Sequence, residues 1–134
     1  MEYHQTKIRV RYSETDQMRV VYHGNYAQYF EIGRVEWLRN KGVSYKWMEE
    51  NGIMLPVVSL TMNYKKSARY DELLTLKTIL KNRTTVKIEF EYELYNEKEE
   101  LLTTGNSILV FVDMKTGKPM VPPQHILAIL ERKE

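Results

Sequence analysis

The chain of 134 residues is 43% hydrophobic, which fits one compact domain over residues 1–134 with a single core. Its 20 Lys and Arg residues nearly balance its 18 Asp and Glu residues, and the resulting formal charge of +2 does not indicate a nucleic-acid or anionic-membrane partner. Zero cysteines exclude disulfides and thiolate chemistry, and the lack of a secretory signal or of a run near the ~18 apolar residues of a membrane span predicts a cytoplasmic protein.

The first predicted elements are a strand and a long helix. Residues 4–12 alternate between apolar and charged side chains, which is the pattern of a half-buried strand. A helix is predicted over residues 24–41, because five residues at helical spacing share one face: Tyr26, Tyr29, Phe30, Gly33 and Trp37. Gly33 on that face costs about 1 kcal/mol relative to Ala, so we expect the helix to approach a flat surface closely at this point.

Two short helices and four more strands complete the predicted pattern. Ser44 is a suitable N-cap for a short second helix. A terminal helix after Pro122 and Pro123 is expected to bury Ile126, Leu127 and Ile129 or Leu130. Extended runs cover residues 55–64, 73–80, 86–95 and 101–112, and the clean alternation in residues 86–95 favours antiparallel pairing. One long helix over a five-stranded sheet is an α+β layer, and the sheet edges that it leaves exposed predict self-association.

The acid Asp16 lies in a polar loop shortly before the predicted helix, which begins near His23. A carboxylate that faces the free N–H groups of a helix start can attack a carbonyl and stabilise the charge that develops on it. A solvated turn residue would have the same sequence context, so the loop alone leaves both interpretations of Asp16 open.

The residues around Asp16 carry a resemblance to a known family. Residues 11–26 read RYSETDQMRVVYHGNY, and residues 67–74 read SARYDELL. Both segments resemble the 4-hydroxybenzoyl-CoA thioesterase family of hotdog-fold acyl-CoA thioesterases, in particular its YbgC-like branch. The resemblance implies a hotdog fold, a five-stranded antiparallel sheet wrapped around one long helix. It also implies a homodimer or homotetramer in which paired subunits build the site between them.

The same resemblance implies hydrolysis of an acyl-CoA thioester to a free acid and coenzyme A. Asp16 would be the general base or nucleophile, and the His23 region would donate to the oxyanion. No cofactor is expected, since coenzyme A is part of the substrate. A metal site is not expected either, because the three histidines, His4, His23 and His125, are spread along the chain.

Several further residues are candidates for substrate binding. Asn25 and Tyr26 follow the histidine as in the family, although a helix cap and a core ring are equally good interpretations. Ser59 and Thr61 share the polar face of one predicted strand. Mobile cations suit the phosphates of coenzyme A, and the candidates, which are otherwise solvated surface residues, are Lys65, Lys66, Arg69, Lys81, Arg83 and Lys87.

Arg19 departs from the family, which usually has Gly at this position. We expect Arg19 to adopt an ordinary negative φ and to place its guanidinium near the mouth of the pocket, as a substrate-binding residue. If Arg19 disables the loop instead, the chain is a noncatalytic acyl-CoA-binding hotdog module. A hotdog enoyl-CoA hydratase is the other alternative, but it would have a shorter Asp-x4-His motif than the Asp-x6-His found here.

Overall fold

A computed structural model describes residues 3–131 of the chain. Three helices follow the chain order α1 (Tyr26–Asn40), α2 (Tyr45–Glu50) and α3 (Gln124–Glu131). Seven strands are described: β1 (Tyr3–Arg9), β2 (Ile53–Met54), β3 (Val57–Tyr64), β4 (Leu73–Arg83), β5 (Lys87–Tyr95), β6 (Leu101–Val110) and β7 (Val112–Asp113). Within this part of the chain, none of the helices has the length and apolar character needed to cross a membrane.

Five strands form one fully antiparallel sheet in the order β1-β4-β5-β6-β3. The strands that are consecutive in sequence from β4 to β6 are neighbours in the sheet, while β1 and β3 form its two edges. The short strands β2 and β7 pair with each other in a separate ribbon. The α+β layer of five antiparallel strands and one long helix that the sequence predicts is therefore confirmed.

Helix α1 packs against one face of this sheet. The five residues predicted to share its apolar face, Tyr26, Tyr29, Phe30, Gly33 and Trp37, are all buried. Phe30 stacks on Tyr92 of β5 at 4.4 Å between ring centroids, and Trp37 meets Phe90 edge to face at 5.2 Å. These aromatic contacts fill the centre of the hydrophobic core between the helix and the sheet.

Two glycines allow the helix and the sheet to approach this closely. A Cβ atom on Gly33 would lie 2.6 Å from Leu76 Cδ2, and Thr78 Oγ1 would be closer still. A Cβ atom on Gly105 of β6 would lie 2.8 Å from Phe30 Cζ. The close approach expected at Gly33 is confirmed, and Gly105 provides the same clearance from the opposite side.

The boundaries of some predicted elements differ from those observed. The first strand ends at Arg9 rather than residue 12, because the chain turns there into a 3-10 turn, Tyr12–Glu14. The predicted strand over residues 101–112 splits between β6 and β7, since its last residues leave the main sheet and pair with β2. In α3, Ile126 and Leu130 are buried, but Leu127 is only half-buried, so the expectation for Leu127 was wrong.

We predict that Gly33→Ala destabilises the protein although Ala is the better helix former. The added methyl group must displace Leu76 and Thr78, and such overpacking costs about 1 to 3 kcal/mol, more than the ~1 kcal/mol gained in helix propensity. Urea unfolding measures the difference. Gln28→Ala, at an exposed position of the same helix, is the control and is expected to leave the unfolding free energy unchanged or slightly raised. A Gly33→Ala variant as stable as the parent protein would contradict the proposed clearance.

Candidate active site

Asp16 begins a tight turn that connects two antiparallel segments, Thr15 and Val20–Val21. The Arg19 N–H donates to the Asp16 carbonyl at 2.9 Å, and the Asp16 N–H donates to the Val20 carbonyl at 3.0 Å. The Met18 N–H donates to Asp16 Oδ1 at 2.8 Å. The backbone thus holds one carboxylate oxygen of Asp16, while the residue as a whole stays exposed to solvent.

The same turn occurs a second time, between β5 and β6. There the Glu99 N–H donates to the Asn96 carbonyl at 3.0 Å, the Asn96 N–H donates to the Glu100 carbonyl at 3.1 Å, and the Lys98 N–H donates to Asn96 Oδ1 at 2.9 Å. Asn96 therefore makes the three turn contacts that Asp16 makes. Only one side-chain oxygen is required for them, so the negative charge of Asp16 is not needed to form its turn.

Arg19 adopts a φ of +63°, and Glu99 adopts +62° at the equivalent position of the second turn. The expectation that Arg19 has an ordinary negative φ was wrong. A hairpin turn of this kind ends with a residue in the left-handed region, which the hydrogen-bonded frame imposes whatever side chain is present. Because Arg has a Cβ atom, it adopts this conformation at a cost of about 1 to 2 kcal/mol that Gly would avoid.

Glu14 connects the Asp16 turn to helix α1. Its side chain is buried, and its carboxylate accepts hydrogen bonds from the Arg11 N–H at 2.8 Å and from the Tyr29 hydroxyl at 2.8 Å. The Arg11 guanidinium donates to the other carboxylate oxygen. Burial alone raises the pKa of Glu14, but these hydrogen bonds and the Arg11 charge outweigh it and hold the pKa below its ordinary value.

His23 begins the helical segment that leads into α1. A 3-10 turn, His23–Asn25, continues directly into the helix, so the predicted helix start near His23 is confirmed. The imidazole is exposed and lies against the ring of Tyr22, with 4.3 Å between centroids. The side-chain amide of Asn25 donates to the Glu14 carbonyl at 2.8 Å, which fixes the loop to the helix start.

Tyr26 and Tyr64 form the wall beside His23. Tyr26 is buried, its hydroxyl accepts from the Ala68 N–H at 3.2 Å, and burial raises its pKa. Tyr64, at the end of β3, donates to the His23 carbonyl at 3.2 Å and packs against the ring of Tyr26 at 5.4 Å. The edge strand β3 is thus connected directly to the start of the helix.

Two neighbouring clefts lie next to the Asp16 turn. The smaller, about 180 Å³, is lined by Val21, His23, Tyr26, Tyr64, Lys65, Lys66 and Ser67. The larger, about 520 Å³, is lined by Met18, Val20, Lys66, Ser67, Arg69, Glu72, Asn96, Lys98, Glu100 and Leu102. Lys66 and Ser67 belong to both clefts. Three predicted cations, Lys65, Lys66 and Arg69, therefore come together here, whereas Asp16 and Arg19 line neither cleft.

Other predicted residues lie elsewhere. Arg83 is at the far end of β4, about 30 Å along the strand from Leu73, and pairs with Glu131 of α3 at 2.6 Å. Lys81 pairs with Glu91 at 2.9 Å, and Lys87 is an exposed residue that begins β5. Ser59 and Thr61 alternate with Leu60 and Met62, which lie on the helix side of β3, and so they lie on the outer face of the sheet. No cluster suited to a metal ion occurs in residues 3–131.

Sequence reasoning did not identify the contacts that Glu14, Tyr29 and Tyr64 make at the site. Glu14 and Tyr29 are separated by fifteen residues, and no spacing rule relates a loop carboxylate to a helix hydroxyl. Tyr64 was predicted only as the last residue of the extended run 55–64. Its position as the last residue of that strand, just before the Lys65-Lys66 pair, is the one sequence feature that places it near the predicted cations.

Comparisons with known proteins agree with this architecture. Residues 10–130 match the sequence profile of the thioesterase-like superfamily. The acyl-CoA thioester hydrolase YbgC of Escherichia coli O6:H1 is 30% identical over 121 residues, which cover 90% of each chain. YneP of Bacillus subtilis (strain 168) is 37% identical over 114 residues, covering 85% of this chain and 83% of YneP.

A crystal structure of a DHNA-CoA thioesterase from Staphylococcus aureus superposes with a TM-score of 0.88. It is 44% identical in sequence, and the superposition covers 90% of this chain and 81% of that chain. The predicted hotdog fold and the resemblance to YbgC-like thioesterases are therefore confirmed.

We predict that Arg19→Gly raises the free energy of unfolding by about 1 kcal/mol, because Gly adopts a positive φ without the Cβ penalty. Urea unfolding measures the change. Glu99→Gly is the matched control, since it relieves the same conformation in the second turn and is expected to stabilise the protein equally. A contrary result would be an Arg19→Gly variant that is less stable than the parent protein while Glu99→Gly is more stable. It would show that the Arg19 side chain makes a contact whose contribution to stability exceeds the cost of its backbone strain.

Proposed function

The chain belongs to the thioesterase-like superfamily, and on that premise we propose that it hydrolyses an acyl-CoA thioester to a free acid and coenzyme A. Relatives at 30% and 44% identity are named as an acyl-CoA thioester hydrolase and a DHNA-CoA thioesterase, which supports this substrate class. The observation that carries the proposal is the exposed carboxylate of Asp16, held by one oxygen on a fixed turn that Glu14 connects to the helix start at His23.

In the proposed reaction, the second carboxylate oxygen of Asp16 acts on the thioester. As a general base it takes a proton from water while the water oxygen attacks the carbonyl, and the C–S bond then breaks to release the coenzyme A thiolate. As a nucleophile it attacks the carbonyl carbon, the C–S bond breaks to release the coenzyme A thiolate, and water then hydrolyses the resulting mixed anhydride to the free acid and restores the Asp16 carboxylate. Both routes need only one carboxylate, because a thiolate is a good leaving group, and both have the same products.

The N–H groups at the start of the helical segment are the proposed oxyanion donors. The first N–H groups of a helix have no partner within the helix, and the positive end of the helix dipole favours a developing negative charge. The backbone of His23 meets this description, and the His23–Asn25 turn continues directly into the fifteen residues of α1. We assign this role to the backbone of His23, since its imidazole packs against Tyr22.

Coenzyme A is proposed to bind along the two clefts beside the turn. Met18 and Val20 of the Asp16 turn line the larger cleft, so a substrate in it would lie beside the turn. Arg69 and Lys66 are suited to the phosphates, although Lys66 also pairs with Glu100. Tyr26 would form part of the wall of the smaller cleft, and Asn25 would act by holding the loop. No separate cofactor is required, because the thioester carries coenzyme A itself.

We also propose that the active form is a homodimer, or a homotetramer built from such dimers, paired through β3. This eight-residue strand is a sheet edge, and apolar side chains along it are exposed, with Val58 at 57% and Tyr64 at 52%. The other edge, β1, has alternating Lys7 and Arg9, which discourage pairing. A second copy beside β3 would come close to Tyr64 and His23.

A single domain over residues 1–134 and a cytoplasmic location remain predictions.

We predict that Asp16→Asn remains folded but loses hydrolysis by ~100-fold or more in kcat, because the amide cannot accept a proton or attack the carbonyl. The turn should form normally, since Asn96 makes the same contacts in the second turn. Release of free thiol from a panel of aromatic and aliphatic acyl-CoA thioesters measures the rate, and circular dichroism monitors the fold.

The matched control is Asp113→Asn. Asp113 also accepts a backbone hydrogen bond two residues ahead, from the Lys115 N–H at 2.8 Å, but it lies in the β2–β7 ribbon. This variant is expected to keep parental activity. A folded Asp16→Asn variant that releases thiol at the parental rate would disprove the role of Asp16. A parent protein that binds but does not hydrolyse the panel would favour the noncatalytic module.

We predict that light scattering gives a mass of two or four times the 16.0 kDa of one chain. Val58→Lys should shift the mass toward the monomer, because a charged Lys on an exposed edge strand discourages pairing with another strand. Gln5→Lys on the opposite edge is the control and should leave the mass unchanged. A monomeric parent protein at micromolar concentration would contradict pairing through β3.

A further inference from the structure

Glu14 contacts three separate segments around the proposed active site. Its carbonyl accepts from the Tyr22 N–H at 3.0 Å and from the Asn25 side chain at 2.8 Å. Its carboxylate accepts hydrogen bonds from Tyr29, in the first turn of α1, and from Arg11, which directly precedes the 3-10 turn Tyr12–Glu14. One residue therefore connects the start of the loop, the segment that returns from the Asp16 turn and the first turns of the helix.

The Glu14 side chain makes its contacts as a buried charged group, although a neutral side chain would lose less solvation free energy on burial. Glu14 is only 7% exposed, and burying a carboxylate is unfavourable unless hydrogen bonds satisfy its lone pairs. Here four donor groups satisfy it, two on each oxygen. A carboxylate with both oxygens doubly occupied has a fixed orientation, and it is not free to react with a substrate.

We propose that Glu14 is a positioning residue that sets the distance between the Asp16 carboxylate and the first N–H groups of the helix. This inference rests on the proposed function. Asp16 follows Glu14 by two residues. The Glu14 carbonyl accepts a hydrogen bond from the N–H of Tyr22, and Tyr22 directly precedes His23. A shift of Glu14 would move the acid on one side and the oxyanion donors on the other, and the reaction needs both at the same carbonyl carbon.

Two variants test the proposal. Glu14→Gln keeps the shape but presents an N–H₂ group to the Arg11 donors, so one pair of hydrogen bonds becomes repulsive. Tyr29→Phe removes a single hydrogen bond and leaves the charge of Glu14 in place. Glu36→Gln is the control, since Glu36 is a partly exposed acid of the same helix whose partner is Arg39.

We expect Glu14→Gln to lower kcat about 10- to 100-fold with KM nearly unchanged, because the clefts that bind coenzyme A do not include Glu14. Tyr29→Phe should lower kcat in the same direction by a smaller factor. For each variant, the factor by which kcat decreases should be the same at every pH tested. A changed charge beside Asp16 would instead make that factor depend on pH, so the pH profile distinguishes it from misplacement of Asp16. In an Asp16→Asn background, Glu14→Gln should lower kcat by a smaller factor than in the parent protein, because only the displacement of the oxyanion donors still matters.

Hydrogen exchange measures the positioning without reference to activity. Glu14→Gln and Tyr29→Phe should speed exchange at residues 14–25 and leave β5 and β6 as protected as in the parent protein. The inference is overturned if both folded variants keep parental kcat and parental exchange in residues 14–25. If Glu14→Gln does not fold, Tyr29→Phe decides alone. Failure of the proposed function would give a different result. The parent protein would then release no thiol, while hydrogen exchange at residues 14–25 would still be faster in the two variants than in the parent protein.

Discussion

The close packing of α1 on the sheet is the constraint on which the rest of this molecule depends. Gly33 on the helix and Gly105 on β6 leave room for Leu76, Thr78 and Phe30, and larger residues at either position would force the two layers apart. The height of the helix above the sheet fixes where its first turn lies. From that turn Tyr26 accepts a hydrogen bond from Ala68 and Tyr29 donates one to Glu14, so the packing of the core also positions the loop.

The candidate site is assembled from parts that are each stable for other reasons. The Asp16 turn is closed by its own backbone hydrogen bonds, and the helix start is fixed by Tyr64 from the neighbouring strand. Glu14 is the residue that makes contacts on both sides. The result is an exposed acid on a rigid support, which is what thioester chemistry requires, since a mobile carboxylate would spend little time in line with the carbonyl carbon.

Periodicity predicted most of the fold because the core is regular. Five of the seven buried residues of α1 and the alternation of β5 were predicted, since both follow from the repeat of the helix and of the strand. The site was predictable only in part. The spacing of the Asp and His residues, together with the family resemblance, located the loop, but no local rule predicts that Glu14 meets a hydroxyl fifteen residues later.

Other features could not be predicted because they depend on the surroundings more than on the residue type. Arg19 takes a conformation that its side chain disfavours, because the hairpin frame imposes it. Arg34 is buried beside the hydroxyls of Tyr45 and Tyr92, where burial raises the pKa of Tyr45 to about 12 and the Arg34 charge opposes that rise. A charged residue on a helix is exposed far more often than not, so its burial had no sequence indication.

The presence of two equivalent turns in one chain also bears on how such proteins evolve. Both turns need a short side chain with one acceptor oxygen at their first position, and an acid and an amide meet that need equally well. The turn alone therefore does not distinguish Asp from Asn at position 16, whereas the proposed reaction does. Under the proposed mechanism, exchange of the acid for the amide would remove the reaction and keep the turn, so an enzyme and a noncatalytic relative of this architecture would differ by one substitution.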